Sequence, residues 1–371
     1  MNKILNIIVA AAALTFCFAC NNEWEDEQFA HYVGFKAPIN SEGCTSVYLK
    51  LRSAAEIAEK GPVTYKLPLV VSGSTPHSGD LKVKVELDLD SLEQLNLKNI
   101  GFNRKDIWWH PVPGVDTDLN LTDDDYNVKY ADWLVKTPVN SNGERAFTLP
   151  SEVIIPSGKS IELVPITFNF KEELGWDWTK RYILPLKVAE NQPGYTANTR
   201  KHYNNALLNI IPFNDYSGSY GASTMLGYSA DDNGNFTDEM LSLAPLTMSD
   251  KIFYAVDENT AFFYPGIIDH TYKQRADYKV YVTFEQGGAL SFRAENPDLD
   301  FQIVGPATYE RPERVDDNKP YLLYKYVILQ FTYDFTDRTG AVPTRYRFKG
   351  AMTMQRAVNT QIPDEDQAIQ W

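Results

Sequence analysis

Tryptophan side chains in irregular segments are the residues of this sequence best suited to bind a ligand. Their flat apolar rings pack against the C–H groups of sugars at a low cost in conformational entropy. The surrounding segments do not alternate like strands, and the candidates are Trp108, Trp109, Trp133, Trp176 and Trp178. Trp108 and Trp109 are consecutive, and neighbouring residues of a strand face opposite ways. We expect at least one ring of this pair, and one of the pair Trp176 and Trp178, at the surface. Two alternatives stay open: one ring of each pair fills the core while the other caps a loop, or the rings dock a protein partner.

A second candidate segment, residues 262–275, is rich in aromatic and polar side chains and is predicted to form a loop. Aromatic rings there would stack on a sugar while polar groups bond its hydroxyls. The residues expected to line such a site are Tyr264, His270, Tyr272 and Arg275. The competing interpretation is that these are packed or solvated loop residues. Residues 308–312 form a weaker loop candidate.

Familiar catalytic and metal-binding motifs are missing from the sequence. Residues 116–120 begin like a calcium loop, but Leu121 replaces the required glycine and Asn127 the bidentate glutamate. A calcium site of another geometry stays open at residues 123–125, and the five isolated histidines lack zinc spacing. Paired carboxylates for glycoside cleavage need only be close in space, so the sequence does not exclude them. We predict no catalytic residues, no metal and no cofactor.

Charge and composition narrow the class of protein. The 371 residues include 49 acidic and 35 basic side chains, for a formal net charge of −14. That excess excludes a nucleic-acid binder that works by neutralising phosphates, and it argues against binding an anionic membrane surface by charge. A hydrophobic content of 43% excludes a disordered chain. The length, at roughly 100–200 residues per domain, predicts two domains.

The N-terminal segment predicts export and a lipid anchor. A single lysine precedes an apolar stretch over residues 4–19, which is short for a membrane span of about 20 apolar residues and is typical of a signal peptide. Ala19 directly before Cys20 resembles the lipobox of bacterial lipoproteins, which implies lipidation of Cys20. Cys17 is a competing lipidation site, and an ordinary cleaved signal is the further alternative. Lipidation of Cys20 and loss of Cys17 would leave Cys44 without a disulfide partner.

Period-two alternation of apolar and polar residues dominates the rest of the chain and predicts strands. It is clearest over residues 81–90, and residues 91–99 are expected to form one short helix or a turn. The pattern breaks near Pro212 and restarts after Gly218. We predict an all-β chain in which an immunoglobulin- or fibronectin-like β-sandwich is followed by a second antiparallel β-sandwich or β-barrel. The predicted organisation is a signal peptide over 1–19, a lipidated acidic tether over 20–29, the first sandwich over 30–213 and the second β domain over 214–371.

Several phrases of the sequence resemble cell-surface lipoproteins of Bacteroidetes. Motifs similar to those of the domain of unknown function numbered 1735 occur at residues 32–38, 65–73, 155–158 and 182–186. The second half, which closes with residues 362–367, resembles the companion C-terminal domain of the 4361-like type. The resemblance implies a polysaccharide-utilisation system, in which lipid-anchored proteins of the outer membrane face the cell exterior and capture glycans beside a SusC/SusD-like transporter pair.

The resemblance also bears on catalysis. Some relatives join the first domain to a glycosidase barrel, but this chain lacks the about 250 further residues that such a barrel takes. It also lacks an Asp-x-x-Asp-x-Asp-x-Glu run. We therefore predict a protein that binds an oligo- or polysaccharide without cleaving it. Because six of the seven tryptophans precede residue 214, we expect the ligand site in the loops of the first domain. A scaffolding lipoprotein that binds protein partners and a small glycoside hydrolase are the alternatives.

Overall fold

The computed structural model shows two β-sandwiches that follow one another along the chain. The structure describes residues 29–37, 39–40, 43–96, 137–139, 142–170, 174, 176, 181–231, 233–237, 244–270, 272 and 274–362. The strands of the first half are β1 (Tyr32–Phe35), β2 (Thr45–Lys50), β3 (Val63–Val71), β4 (Leu81–Leu87), β5 (Phe147–Thr148), β6 (Glu152–Ile155), β7 (Ile161–Phe168), β8 (Tyr182–Val188), β9 (Thr196–Ala197) and β10 (Asn205–Phe213).

The first sandwich consists of two five-stranded sheets, in the orders β5-β7-β3-β1-β9 and β2-β10-β8-β4-β6. Alternation in the sequence decides which side chains meet between them. Leu67 and Ile166 from one sheet pack with Leu184 and Leu208 from the other, all four fully buried. Most pairs are antiparallel, but β1 runs parallel to β9 and β2 parallel to β10.

Helix α1 (Ala54–Lys60) begins at Ser53 and was not expected from the alternation. Its signal is a capping box, in which the Ser53 hydroxyl accepts from the Glu56 backbone N–H while the Glu56 carboxylate accepts from the Ser53 backbone N–H. Residues 89–96 are helical, which decides between the helix and the turn that the sequence left open for residues 91–99. This helix covers the outer face of the second sheet at Ile183 and buries the side chain of Cys44. No described helix is long and apolar enough to cross a membrane.

The second sandwich is built around a long β-hairpin. Its strands are β11 (Gly218–Tyr220), β12 (Leu226–Ser229), β13 (Leu246–Thr247), β14 (Lys251–Ala255), β15 (Thr260–Phe263), β16 (Val280–Phe284), β17 (Leu290–Ala294), β18 (Gln302–Ile303), β19 (Thr308–Glu310), β20 (Glu313–Val315), β21 (Leu322–Asp337) and β22 (Thr344–Asn359). One sheet has the order β11-β14-β15-β16-β17, and the other is β13-β12-β22-β21-β18 with β19 and β20 also paired to β21.

The aromatic excess of the second half forms the core between these two sheets. Phe253 and Phe263 stack at a centroid distance of 4.8 Å, and Tyr333 stacks on Phe348 at 5.5 Å. The phenol of Tyr333 is fully buried and accepts a hydrogen bond from the Gly266 backbone N–H at 3.0 Å. The prediction of an all-β chain of sandwich domains is therefore confirmed.

Two segments predicted as loops are strands. Phe262 and Phe263 lie in β15, and residues 308–310 form β19. The sequence of β15 shows no alternation of apolar and polar residues because Phe262 and Phe263, on opposite faces, are both buried. A strand covered on both faces gives no apolar–polar alternation to detect.

Charged side chains brace the turn where the two sandwiches join, residues 214–217. Lys50 Nζ lies 2.7 Å from Asp215 Oδ1, and Arg311 donates to Asp215 Oδ2 at 3.1 Å. Burial by itself would raise the pKa of Asp215, but the hydrogen bonds and charges of Lys50 and Arg311 outweigh it and lower that pKa below its ordinary value. Arg356 donates to the backbone carbonyls of Asn214 and Ser217. The turn is thus held from both halves of the chain.

Candidate functional site

Of the five tryptophan candidates, the structure describes only Trp176. Four of them lie outside the described residues, namely Trp108, Trp109, Trp133 and Trp178. Trp176 is 7% exposed, and its ring lies 5.3 Å from that of Phe170 and 4.7 Å from that of Tyr182. Its indole N–H donates to the Asn169 carbonyl at 2.8 Å. Trp176 therefore fills the core of the first sandwich, which is one of the alternatives the sequence leaves open.

The loop candidates of the second half fold back onto their own sheet. Tyr264 is 3% exposed and Arg275 is 6% exposed, whereas Tyr272 is half-buried and His270 is exposed. Arg275 Nη1 donates to the Tyr272 carbonyl at 3.3 Å, and the Tyr264 ring lies 6.1 Å from that of Tyr254. Burial raises the pKa of Tyr254 to about 12, with the charge of Arg275 opposing the rise. Tyr264 and Arg275 thus pack the loop against the sheet.

The face under this loop carries a line of cross-strand neighbours that we call the aromatic row: Tyr254, Phe262, Tyr281 and Arg293. Each member stands directly opposite the next across β14, β15, β16 and β17. Tyr254 stacks on Phe262 at 4.9 Å, and Phe262 lies 6.0 Å from Tyr281. The Arg293 guanidinium lies 4.4 Å from the centroid of the Tyr281 ring. Successive residues of a strand alternate between faces, so the row lies on the side of the sheet away from the core.

A second line of neighbours on the same face consists of hydroxyl groups, and we call it the hydroxyl row: Thr260, Thr283 and Ser291. Thr260 stands opposite Thr283, and Thr283 opposite Ser291. The hydroxyls of Thr260 and Thr283 are 3.3 Å apart, and Ser291 donates to Glu285 Oε1 at 2.9 Å. Apolar ring surface beside hydrogen-bonding hydroxyls is the combination that sugar binding requires.

Only part of the aromatic row is open to a ligand. Phe262 is 2% exposed because Tyr264, at 5.7 Å, and the Lys279 ammonium, at 5.5 Å, cover its ring. Tyr281 is half-buried and Arg293 is exposed. The accessible part of the face therefore consists of Tyr281, Arg293 and the hydroxyl row.

Sequence reasoning missed Tyr281 and Arg293 although it located both of their strands. The available signal was the alternation of β16, in which Val280, Val282 and Phe284 are buried while Tyr281 stands on the other face. An aromatic residue on the polar face of an alternating strand is a candidate contact residue. Arg293 lies opposite Tyr281 because of the register between β16 and β17, and the alternation within each strand does not determine that register.

Acidic and basic groups fix the edge of this face. The Tyr281 hydroxyl donates to Glu295 Oε2 at 3.3 Å, and Lys279 Nζ lies 3.9 Å from the same carboxylate oxygen. Within the described part of the chain, no group of three or more His, Cys, Asp or Glu side chains is arranged to hold a metal ion. The acidic residues 116–127 lie outside the described residues.

A buried lysine joins the loop to the end of β14. Lys251 is almost fully buried, and its ammonium donates to the Ile268 carbonyl at 2.6 Å. Burial lowers the pKa of Lys251 from 10.5 to about 8, and the charge of Asp269 opposes the change. The hydrogen bond holds the loop over the aromatic row at a cost in desolvation of the charge.

Lys251 predicts a pH dependence of stability. Its folded-state pKa is lower than its ordinary value, so the unfolded chain binds more protons above about pH 8 and stability rises with pH there. Relative to Lys251→Met, which cannot titrate at this site, the free energy of unfolding of the wild type is expected to gain about 2 kcal/mol between about pH 8 and pH 9.5. Urea denaturation at each pH measures the difference. A difference that stays constant over this range would contradict the assignment.

Comparison with family models places known domain types on both halves of the chain. The model described as a domain of unknown function, number 4973, matches residues 24–129. A model for a C-terminal domain matches residues 204–353. A comparison with curated protein sequences finds no match.

Solved structures from Bacteroides match almost the whole chain. A Bacteroides ovatus protein of unknown function is 33% identical, with a TM-score of 0.70, and the match covers 92% of this chain and 100% of that one. A Bacteroides ovatus multidomain protein including domain of unknown function 1735 is 32% identical, with a TM-score of 0.68 and the same coverage. A Bacteroides thetaiotaomicron protein called an auxiliary nutrient binding protein is 28% identical, with a TM-score of 0.69. The match covers 92% of this chain and 100% of that one. This chain therefore belongs to the Bacteroides family represented by the two Bacteroides ovatus proteins, one of which includes the domain of unknown function 1735.

Proposed function

We propose that this chain is a non-catalytic surface lipoprotein that binds glycan on the outer face of the β14–β17 sheet. The observation that carries the proposal is the position of the aromatic row beside the hydroxyl row on one face. The Arg293 guanidinium already lies over the Tyr281 ring, so a sugar would pack its C–H groups beside this pair and direct its hydroxyls toward Thr283 and Ser291 in the neighbouring row. The rigid sheet holds both rows in place, so little ordering is needed on binding.

The relationship to the Bacteroides thetaiotaomicron protein supports a role in binding nutrients. We take the class of function, nutrient binding, from this relative. We infer the class of ligand, glycan, from the side chains on the outer face of the β14–β17 sheet. Nutrient capture outside the cell agrees with the signal peptide and lipobox that the sequence predicts. A protein that only binds needs no catalytic carboxylate pair.

We further propose that Cys20 carries the lipid, that the chain is anchored in the outer membrane facing the exterior, and that it delivers glycan to a SusC/SusD-like transporter pair. A lipidated cysteine followed by the acidic residues 23–27 leaves the folded part on a solvated tether. Metabolic labelling with palmitate is expected to mark the wild type and not Cys20→Ala. Equal labelling of both would reject Cys20 as the lipidated residue.

Replacement of Tyr281 by alanine is expected to weaken glycan retention about tenfold, which corresponds to the loss of one stacking surface. Affinity gels containing host, plant and fungal polysaccharides measure retention, and calorimetry measures the affinity for the polysaccharide retained. Tyr203→Ala is the matched control because Tyr203 is 50% exposed and lies in the first sandwich. Retention that falls equally in both variants, or not at all in Tyr281→Ala, would place the site elsewhere. Absence of retention on every polysaccharide would reject glycan binding.

A further inference from the structure

We infer that the glycan bound at this face is acidic and that Arg293 binds its carboxylate or sulfate groups, an inference that rests on the proposed function. Arg293 is exposed at the open end of the aromatic row, with its guanidinium 4.4 Å from the centroid of the Tyr281 ring. A ligand that stacks beside Tyr281 therefore meets a guanidinium first. The planar fork of a guanidinium matches carboxylate and sulfate oxygens better than single hydroxyls.

Arg293 differs from every other arginine of the second half in having no oxygen partner. Among the described residues from 214 to 362 its side chain makes no hydrogen bond or ion pair, and its guanidinium contacts the Tyr281 ring. The other seven arginines in this range all donate to protein oxygens; they are Arg275, Arg311, Arg314, Arg338, Arg345, Arg347 and Arg356. Because the other arginines of the second half are all paired with protein oxygens, a cation held there by a ring alone keeps its donors available.

The neighbouring charges leave those donors available to a ligand. Glu295, directly after the end of β17, accepts from the Tyr281 hydroxyl and lies beside Lys279 Nζ. Glu285, at the other end of the face, accepts from Ser291. Each carboxylate therefore has a nearer partner than Arg293. Stacking on Tyr281 also restricts the guanidinium, which lowers the entropy lost when it binds an anion.

The net charge of −14 does not exclude an acidic ligand. Charges more than about 8 Å from a solvent-exposed site are largely screened at physiological ionic strength. The local balance around Tyr281 decides binding, and there Lys279 and Arg293 face one nearby carboxylate, Glu295. An acidic glycan would therefore be held by a short-range contact and would bind more weakly as salt is added.

The test compares one polymer with and without its charge. Residues 21–371 are titrated with oligosaccharides from polygalacturonate and with the same oligosaccharides after carboxyl reduction; a sulfated galactan such as carrageenan distinguishes sulfate from carboxylate. At least one acidic ligand is expected to bind about tenfold more tightly than the uncharged ligand. Arg293→Gln is expected to remove that advantage, and Arg293→Lys to restore only part of it because an ammonium lacks the bidentate fork.

Arg314→Gln is the matched control. It removes the same charge from an exposed arginine that pairs with Asp317 on the other sheet, and it should leave the affinity unchanged. Equal losses in Arg293→Gln and Arg314→Gln, or no loss in Arg293→Gln, would overturn the inference. Binding of neutral polysaccharides with no preference for acidic ones would overturn it while leaving glycan binding intact. Failure of every neutral and acidic ligand to bind would overturn both. Thermal melting of each variant confirms that the fold is retained.

Discussion

Replacing Gly350 by alanine is expected to destabilise the second sandwich by roughly 3 kcal/mol or more, or to prevent its folding. Gly350 lies within β22 at φ +145°, a backbone conformation that residues with a side chain rarely adopt. An added Cβ would overlap the Thr224 carbonyl oxygen and lie 3.0 Å from Met225 Cα. Both contacts are with backbone, which cannot rotate away as a side chain does. The ladder that pairs Gly350 with Phe331 continues on both sides, so β22 cannot shift to relieve the overlap.

Gly234→Ala separates the two causes of this effect. Gly234 also has a positive φ, +78°, but a Cβ added there would meet no atom within 4 Å. That variant carries no steric overlap and only the cost of a left-handed backbone, about 1 kcal/mol, which is milder than that of the conformation at Gly350. Denaturant unfolding of both variants, or soluble yield where Gly350→Ala does not fold, measures the difference. Equal losses of unfolding free energy in the two variants would show that the Thr224 carbonyl does not obstruct a side chain at position 350.

The strands that the sequence predicts well are those with one buried and one solvated face. In β4, Val83 and Val85 are buried while Lys82 and Lys84 are exposed, and the alternation shows it. Strand β15 lacks that contrast because the loop after it covers its outer face. The pattern reports burial, and it identifies a strand only where the two faces differ in burial.

The candidate site was harder to predict than the strands because it depends on register across them. Sixteen residues, 264–279, separate Phe263 from the start of β16 at Val280, so no tight turn fixes the pairing of β15 with β16. A slip of one residue would send Tyr281 to the core face. The loop itself drew attention through Tyr264 and Arg275, whose types suit binding. The structure buries both, because the same aromatic and long side chains also suit packing against a sheet.

Asn214 links the junction of the sandwiches to the candidate site, and its loss is expected to cost roughly 3 kcal/mol or more. It is fully buried, and its amide donates to the carbonyls of Asp257 and Thr260 at 2.7 and 2.9 Å. Its side-chain oxygen accepts from the backbone N–H groups of Tyr216 and Ser217 at 2.9 and 2.7 Å. Asn214→Ala removes the partner of the Asp257 carbonyl and of the Tyr216 and Ser217 N–H groups, whereas the Thr260 carbonyl still accepts from the Val256 and Asp257 backbone N–H groups. The expected fall in melting temperature is roughly 10 °C, measured by calorimetry.

Asn214→Asp and Asn318→Ala complete the test. Asn214→Asp keeps the shape and the acceptor but faces two carbonyl oxygens with a carboxylate, so it should be at least as destabilising as alanine. Asn318 is exposed, and its replacement should change stability by less than about 0.5 kcal/mol. If Asn214→Asp were as stable as the wild type, the two hydrogen bonds that the Asn214 amide donates would not contribute to stability.

The turn that these two hydrogen bonds hold, residues 257–260, leads into β15 at Thr260, the first member of the hydroxyl row. Loss of these bonds should therefore also weaken glycan retention, even at temperatures where the variant remains folded.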